Sequence, residues 1–221
     1  MKGGTVMKIL ICLIIGYLIG GINPSYIIAR IKGFDIRKRG SGNAGASNAL
    51  ITMGKAIGII SALFDIAKAY FSVKIASLLF PEVHLAGTVC GSACIIGHIF
   101  PLLMGFKGGK GLACLGGIIL AYDLRLFLVF LFVEIILALI VDYICIVPIT
   151  ASIIYPVLYG VMEMSVIAGM IVAVPCVIML IKHKENMRRI SMGTEAHLSF
   201  LWRRDEEIER LRGKMEEHSD K

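Results

Sequence analysis

Lys107 and Lys110 stand among Gly108, Gly109 and Gly111, shortly after the run Gly97-His98-Ile99-Phe100-Pro101. Glycines let backbone N–H groups approach a ligand closely, and the two lysines add the positive charge that an anion needs. The simplest such anion is a phosphate. His98 is the one nearby group that could move a proton at neutral pH, although a histidine so placed also commonly serves structure alone. The GxxxxGK[ST] spacing of a nucleotide-binding P-loop is absent.

Two further polar stretches carry similar chemistry. Arg39-Gly40-Ser41-Gly42-Asn43-Ala44-Gly45-Ala46-Ser47-Asn48 offers hydroxyls, amides and free backbone donors, as an ordinary glycine-rich loop would too. The third runs from His183 through Lys184, Glu185, Asn186, Arg188 and Arg189, followed by Gly193-Thr194-Glu195. If it is helical, His183, Asn186 and Arg189 share one face and can meet a common ligand.

The elements that must position these residues are apolar. The chain has 221 residues, of which 57% are hydrophobic, and its mean hydropathy is +0.81. That composition predicts an all-α integral membrane protein. Its spans are expected at Lys8–Ala29, Ala56–Phe80, His84–Met104, Leu112–Tyr122, Leu124–Val141, Tyr143–Met162 and Ser165–Ile181, a bundle of seven transmembrane helices. The first run is too long for a signal-peptide core and is read as a retained span. Pro24, Pro148, Pro156 and Pro175 are expected to bend or break the spans that contain them.

Charge placement fixes the expected topology. Basic residues collect at Arg30–Arg39, at Lys107 and Lys110, and at Lys182–Arg189, whereas the alternate connections carry almost no excess positive charge. Seven spans put all three basic regions and their motif loops on the cytoplasmic side of a cell membrane. The N-terminus is then outside and the C-terminus cytoplasmic, with Lys2 and Lys8 mildly opposed. Residues 1–201 form the membrane domain, and 202–221 form a charged cytoplasmic tail with a solvated helix around Glu206–Glu217. The net charge of +7 reports orientation, not nucleic-acid binding. The cysteines Cys12, Cys90, Cys94, Cys114, Cys145 and Cys176 lie in or beside apolar runs, which predicts buried thiols, no disulfide framework and no metal. Asn23, Asp65, Lys68, Lys74 and Glu134 fall inside spans; Asp65 and Lys68, one turn apart, are expected to pair.

The three polar stretches resemble the cytoplasmic motifs of the bacterial acyl-phosphate:glycerol-3-phosphate acyltransferases. The resemblance extends to the Gly16-Tyr17-Leu18-Ile19-Gly20 run in the first span and to Asp65 and Lys68 in the second. It implies a seven-span enzyme that moves a fatty acyl group from acyl phosphate to the 1-hydroxyl of sn-glycerol 3-phosphate. The products would be lysophosphatidic acid and phosphate, the opening step of phospholipid synthesis. It implies no cofactor, a membrane-lipid environment, and functional coupling to an enzyme that makes acyl phosphate.

Carried onto this sequence, the resemblance implies catalytic roles for Ser41, His98, Lys110 and Asn186. Substrate binding would involve Gly42, Asn43, Gly45, Asn48, Lys107, Gly108, Gly109, Gly111, His183, Arg189 and Glu195. Acyl phosphate is already activated, so positioning two anions and stabilising developing charge would suffice. Two departures stand out: Ile51 occupies a position where the family usually carries arginine, and Tyr143–Pro148 replaces a serine-rich run. The residues alone therefore leave open a family member with reduced activity or another phosphorylated polyol as acceptor, and a transporter of a phosphorylated small molecule.

Overall fold

A computed structural model of the chain describes residues 2–219. Among the described residues ten α-helices follow one another: α1 Lys2–Gly20, α2 Pro24–Ile31, α3 Ala46–Met53, α4 Lys55–Leu79, α5 Ala86–Ile99, α6 Leu112–Tyr122, α7 Leu124–Val141, α8 Ile146–Met162, α9 Val166–Ser191 and α10 Arg204–Ser219. Five segments are long and apolar enough to cross a membrane: Gly3–Ile31, Lys55–Leu79, Ala86–Met104, Leu124–Val141 and Val166–Ser191. The remaining two expected spans are the shorter apolar helices α6 and α8, of 11 and 17 residues.

Glycine decides how the helices approach. A methyl added at Gly16 would lie 2.0 Å from the Cys90 carbonyl oxygen, and one at Gly20 would lie 2.1 Å from that of Cys94. Gly97 answers from α5, where a methyl would meet the Tyr17 carbonyl oxygen at 2.1 Å. Helices α1 and α5 thus touch backbone to backbone, which in lipid replaces the missing hydrophobic drive with close van der Waals packing. Gly117 of α6 makes the same approach to the Ile66 carbonyl of α4, at 2.2 Å. Around this glycine-lined centre, Ile95, Leu115, Ile118, Tyr155, Val172 and Met179 form the main buried cluster. α7 turns most of its side chains outward, consistent with a lipid-facing helix.

The first apolar run is not one helix. It breaks after Gly20, and Asn23 caps the new helix by accepting from the Tyr26 N–H at 2.9 Å, with Pro24 in its first turn. The break frees the carbonyls of Gly20 and Ile22, and both accept from the Lys68 ammonium, at 2.9 and 2.7 Å. Lys68 also pairs with Asp65 at 2.7 Å, as the spacing predicts. Pro156 and Pro175, by contrast, sit inside α8 and α9 without ending them, and Pro148 falls in the first turn of α8, where its missing N–H costs little.

Contacts sort the connections into two ends. At one, Lys8 pairs with Glu82 and His84 approaches Glu163 at 3.5 Å. At the other, the loops before α3, before α6, before α8 and after α9 meet. The six cysteines are all buried thiols. The tail is described as far as residue 219, and α10 does not project freely: Glu207 is only 4% exposed.

Candidate active site

The first loop is shaped by Asn48, which is fully buried. Its amide donates to the carbonyls of Ile36, Arg39 and Asn43, at 3.0, 3.0 and 2.7 Å. Its oxygen accepts from the Ser41 N–H at 2.9 Å. Gly40 and Gly42 adopt positive φ, +56° and +72°, and a methyl at Gly40 would lie 2.2 Å from Asn48 Oδ1; glycine is required there. With its amide engaged this way, Asn48 builds the loop instead of presenting itself to a ligand. Ser41 is exposed on the outside of that turn. Just before it, Asp35 accepts from Arg37, which holds its carboxyl down at about 2.

The second loop is folded back on the end of α5. Gly108 N–H donates to the Ile99 carbonyl at 3.0 Å, and Gly109 N–H to that of His98 at 3.1 Å. No side chain fits at Gly109, since a methyl would sit 2.0 Å from His98 Nε2. His98 itself is 3% exposed. Its Nδ1 lies 3.0 Å from Lys68 Nζ and 3.3 Å from Asp65 Oδ1, so the ring is held by the buried pair on one side and backs the glycine loop on the other. Asp65, His98 and Cys114 offer atoms within 4.8 Å of one another, but the Lys68 ammonium already pairs with that carboxylate. Gly111, at φ +96°, turns the chain into α6. Lys107 is exposed and Lys110 partly buried.

The third stretch is helical through Ser191, as the shared-face reading requires. Asn186 Nδ2 donates to Glu195 Oε1 at 2.6 Å, and Arg189 Nε to Glu195 Oε2 at 2.5 Å. Gly193, at φ +68°, turns the chain so that Glu195 can return to the helix. His183 is buried, its Nδ1 2.7 Å from the Met179 carbonyl oxygen.

These loops are joined by direct contacts. Ala44 N–H reaches the Gly108 carbonyl at 3.4 Å, and Arg37 donates to the Met104 carbonyl at 2.5 Å, tying the first loop to the second. Gly45 faces Gly109, with a methyl on the former 4.0 Å from the latter's Cα. Lys110 Nζ donates to Asn186 Oδ1, tying the second to the third. Burial, with the charge of Arg189 beside it, holds the Lys110 ammonium below the ordinary lysine range. The result is a polar surface of Ser41, Lys110, Asn186 and Arg189 beside a glycine-lined loop at one end of an apolar bundle, suited to a phosphate that meets lipid.

The sequence profile of the glycerol-3-phosphate acyltransferase family matches residues 10–193. The chain belongs to that family. Among its relatives, a glycerol-3-phosphate acyltransferase of Allorhizobium ampelinum is 37% identical over 197 residues, covering 88% of this chain and 94% of that one. Another, from Thermotoga petrophila, is 36% identical over 191 residues, covering 86% and 96%. Among solved structures, this fold is similar to PlsY (YgiH), an integral membrane glycerol 3-phosphate acyltransferase, in its glycerol 3-phosphate form. The TM-score is 0.80 and the identity 32%, over 87% of this chain and 96% of that one. Its lysophosphatidic acid form gives 0.76 at 31% identity.

Asn23 and Tyr17 stand out in the sequence but were given no part in this site. Asn23 donates to the Ala44 carbonyl at 3.0 Å, and Tyr17 to that of Phe100 at 2.7 Å, so the first helix pair holds both neighbouring loops. The Asn23-Pro24 pair was a readable cap signal, and Tyr17 lies in the run that carries the resemblance, but the loop carbonyls that the two side chains reach could not be read from spacing. Of the two departures, Ile51 is 47% exposed on α3 and Cys145 is buried at the start of α8.

Proposed function

We propose that this chain transfers a fatty acyl group from acyl phosphate to the 1-hydroxyl of sn-glycerol 3-phosphate, releasing lysophosphatidic acid and phosphate. The hydroxyl oxygen bonds to the acyl carbon, the bond from that carbon to the phosphate oxygen breaks, and the hydroxyl proton leaves with the phosphate. The contact that carries this reading is the one between Lys110 and Asn186, which sets a cation and an amide beside a glycine-lined loop. In a site with little water, such donors stabilise charge growing on the carbonyl oxygen and the leaving phosphate.

In this reading Lys110, Asn186, Arg189 and the N–H of Gly111 receive substrate phosphates, with Ser41, Gly42, Asn43, Gly45 and Lys107 on the rim; Gly108 and Gly109, whose N–H groups are bonded to the Ile99 and His98 carbonyls, shape the loop instead of donating to the ligand. Glu195 orients Asn186 and Arg189, and His183 packs behind them. His98 is assigned to the loop and not to proton transfer, because its ring is buried between the Asp65–Lys68 pair and Gly109. In this reading a substrate phosphate oxygen accepts the hydroxyl proton.

We further propose seven crossings of a bacterial plasma membrane, with α6 and α8 completing the set. The basic loops are then cytoplasmic, the N-terminus outside, and 202–221 a cytoplasmic tail on a membrane domain of 1–201. Supporting this, Lys8, one of the two basic residues that oppose the charge rule, is paired with Glu82. Acyl phosphate would arrive from an enzyme that makes it. Incubation of purified protein with palmitoyl phosphate and glycerol 3-phosphate should yield lysophosphatidate and phosphate in equal amounts. Intact acyl phosphate under those conditions would refute the proposal.

A further inference from the structure

Past the end of the family match, the chain runs back onto the third loop and binds it. Leu198 N–H donates to the Asp142 carbonyl at 2.7 Å, and the Asp142 carboxylate accepts from the Ser199 N–H and hydroxyl, at 2.8 and 2.9 Å. His197 Nε2 lies 3.0 Å from the Tyr143 hydroxyl. These contacts pin the tail to the connection between α7 and α8 and aim the start of α10 at the loop after α9.

From α10, Arg210 donates to the carbonyls of Gly193 and Glu195, both at 2.7 Å. The same guanidinium forks onto Glu207, at 2.9 and 2.6 Å, and Glu207 in turn accepts from the His197 N–H at 2.8 Å. A planar guanidinium held by a carboxylate is a rigid donor, so the two carbonyls it grips are fixed in place. Glu195 is the residue whose carboxylate holds both Asn186 and Arg189.

We infer that Arg210 and Glu207 are positioning residues for the acyl transfer: by fixing the backbone at Gly193 and Glu195, they aim Asn186 and Arg189 at the phosphate site. This rests on the proposed reading of the Lys110–Asn186 cluster. Neither residue touches substrate; both act through Glu195. A solvated tail would leave the third loop free to swing, and small displacements of a positioning group can cost one to two powers of ten.

The test uses the full-length protein in detergent, with palmitoyl phosphate and glycerol 3-phosphate as substrates. Arg210→Ala should raise KM for glycerol 3-phosphate by roughly tenfold, with kcat within about twofold and an unchanged melting temperature; Arg210→Lys, which keeps the charge but loses the fork, should fall between. A wild-type KM in Arg210→Ala overturns the inference, and so does a fall in kcat and melting temperature with KM unchanged. Should Arg210→Ala fail to fold, Glu207→Gln decides in its place, a raised KM supporting the inference and a wild-type KM overturning it. Lys110→Ala, assayed alongside, separates the two levels. If it is inactive, the site reading stands and the tail variants judge the inference alone. If it turns over normally, the site reading fails and the inference falls with it.

Discussion

Lys110, at the end of the glycine loop, donates to the side-chain oxygen of Asn186 on the last turns of α9. Two segments far apart in the chain are joined there by a cation and an amide. Asn186 is fixed from its other side by Glu195. The amide therefore has little freedom, and an incoming phosphate oxygen would compete with it for the same ammonium.

That competition has a pH signature. Burial and the neighbouring Arg189 lower the Lys110 pKa, so the ammonium loses its proton at a lower pH than a free lysine. A bound phosphate dianion favours the charged form and raises the pKa again. Because the substrate phosphate is already a dianion above about pH 6, binding at alkaline pH should take up protons through Lys110. Calorimetry at alkaline pH, in buffers of differing ionisation enthalpy, should show net proton uptake on adding glycerol 3-phosphate. Lys110→Met should abolish it.

The glycine contacts predict where a methyl is not tolerated. Gly20→Ala and Gly97→Ala would each drive a Cβ to 2.1 Å from a carbonyl oxygen across the α1–α5 interface. Overpacking of this kind costs about 1–3 kcal/mol, and more where backbone cannot yield. Both variants should melt lower in detergent than Gly4→Ala, which meets nothing within 4 Å. Gly109→Ala should instead strike activity first, since its methyl meets the His98 ring and shifts the loop.

Asp65 and Lys68 form a buried pair, with side chains 3% exposed on each partner. Removing one charge strands the other, and breaking a buried pair costs about 3–5 kcal/mol. Lys68→Met also orphans the carbonyls of Gly20 and Ile22. Asp65→Asn and Lys68→Met should each destabilise strongly, and the double variant by less than the sum. A double-mutant cycle on melting temperature reads that coupling directly.

How much of this was legible beforehand differs by feature. The three polar stretches and their side of the bundle could be read from composition and charge, because lipid forces apolar residues into helices and leaves polar ones at the ends. The Asp65–Lys68 pair followed from helical spacing. The break between α1 and α2 was legible from Pro24, which was expected to bend or break its span; hydropathy, which averages over the short gap between Gly20 and Pro24, did not show its place. The behaviour of Pro156 and Pro175 was not legible, because neighbouring helices decide whether a freed carbonyl breaks a span. His98 looked like a proton carrier by residue type, and its burial between Lys68 and Gly109 could not be read from spacing. Arg210 looked like one charge among many on a solvated helix, since tail docking depends on contacts with Gly193 and Glu195 that spacing does not reveal.

The central claim is that the loops joined at Lys110 form the phosphate site of an acyl transfer. The most direct measurement is the rate of lysophosphatidate formation from palmitoyl phosphate and glycerol 3-phosphate by Lys110→Ala protein with a wild-type melting temperature. The account predicts a loss of roughly 100-fold or more, the scale of removing a charge-stabilising donor. A wild-type rate in that variant would contradict it.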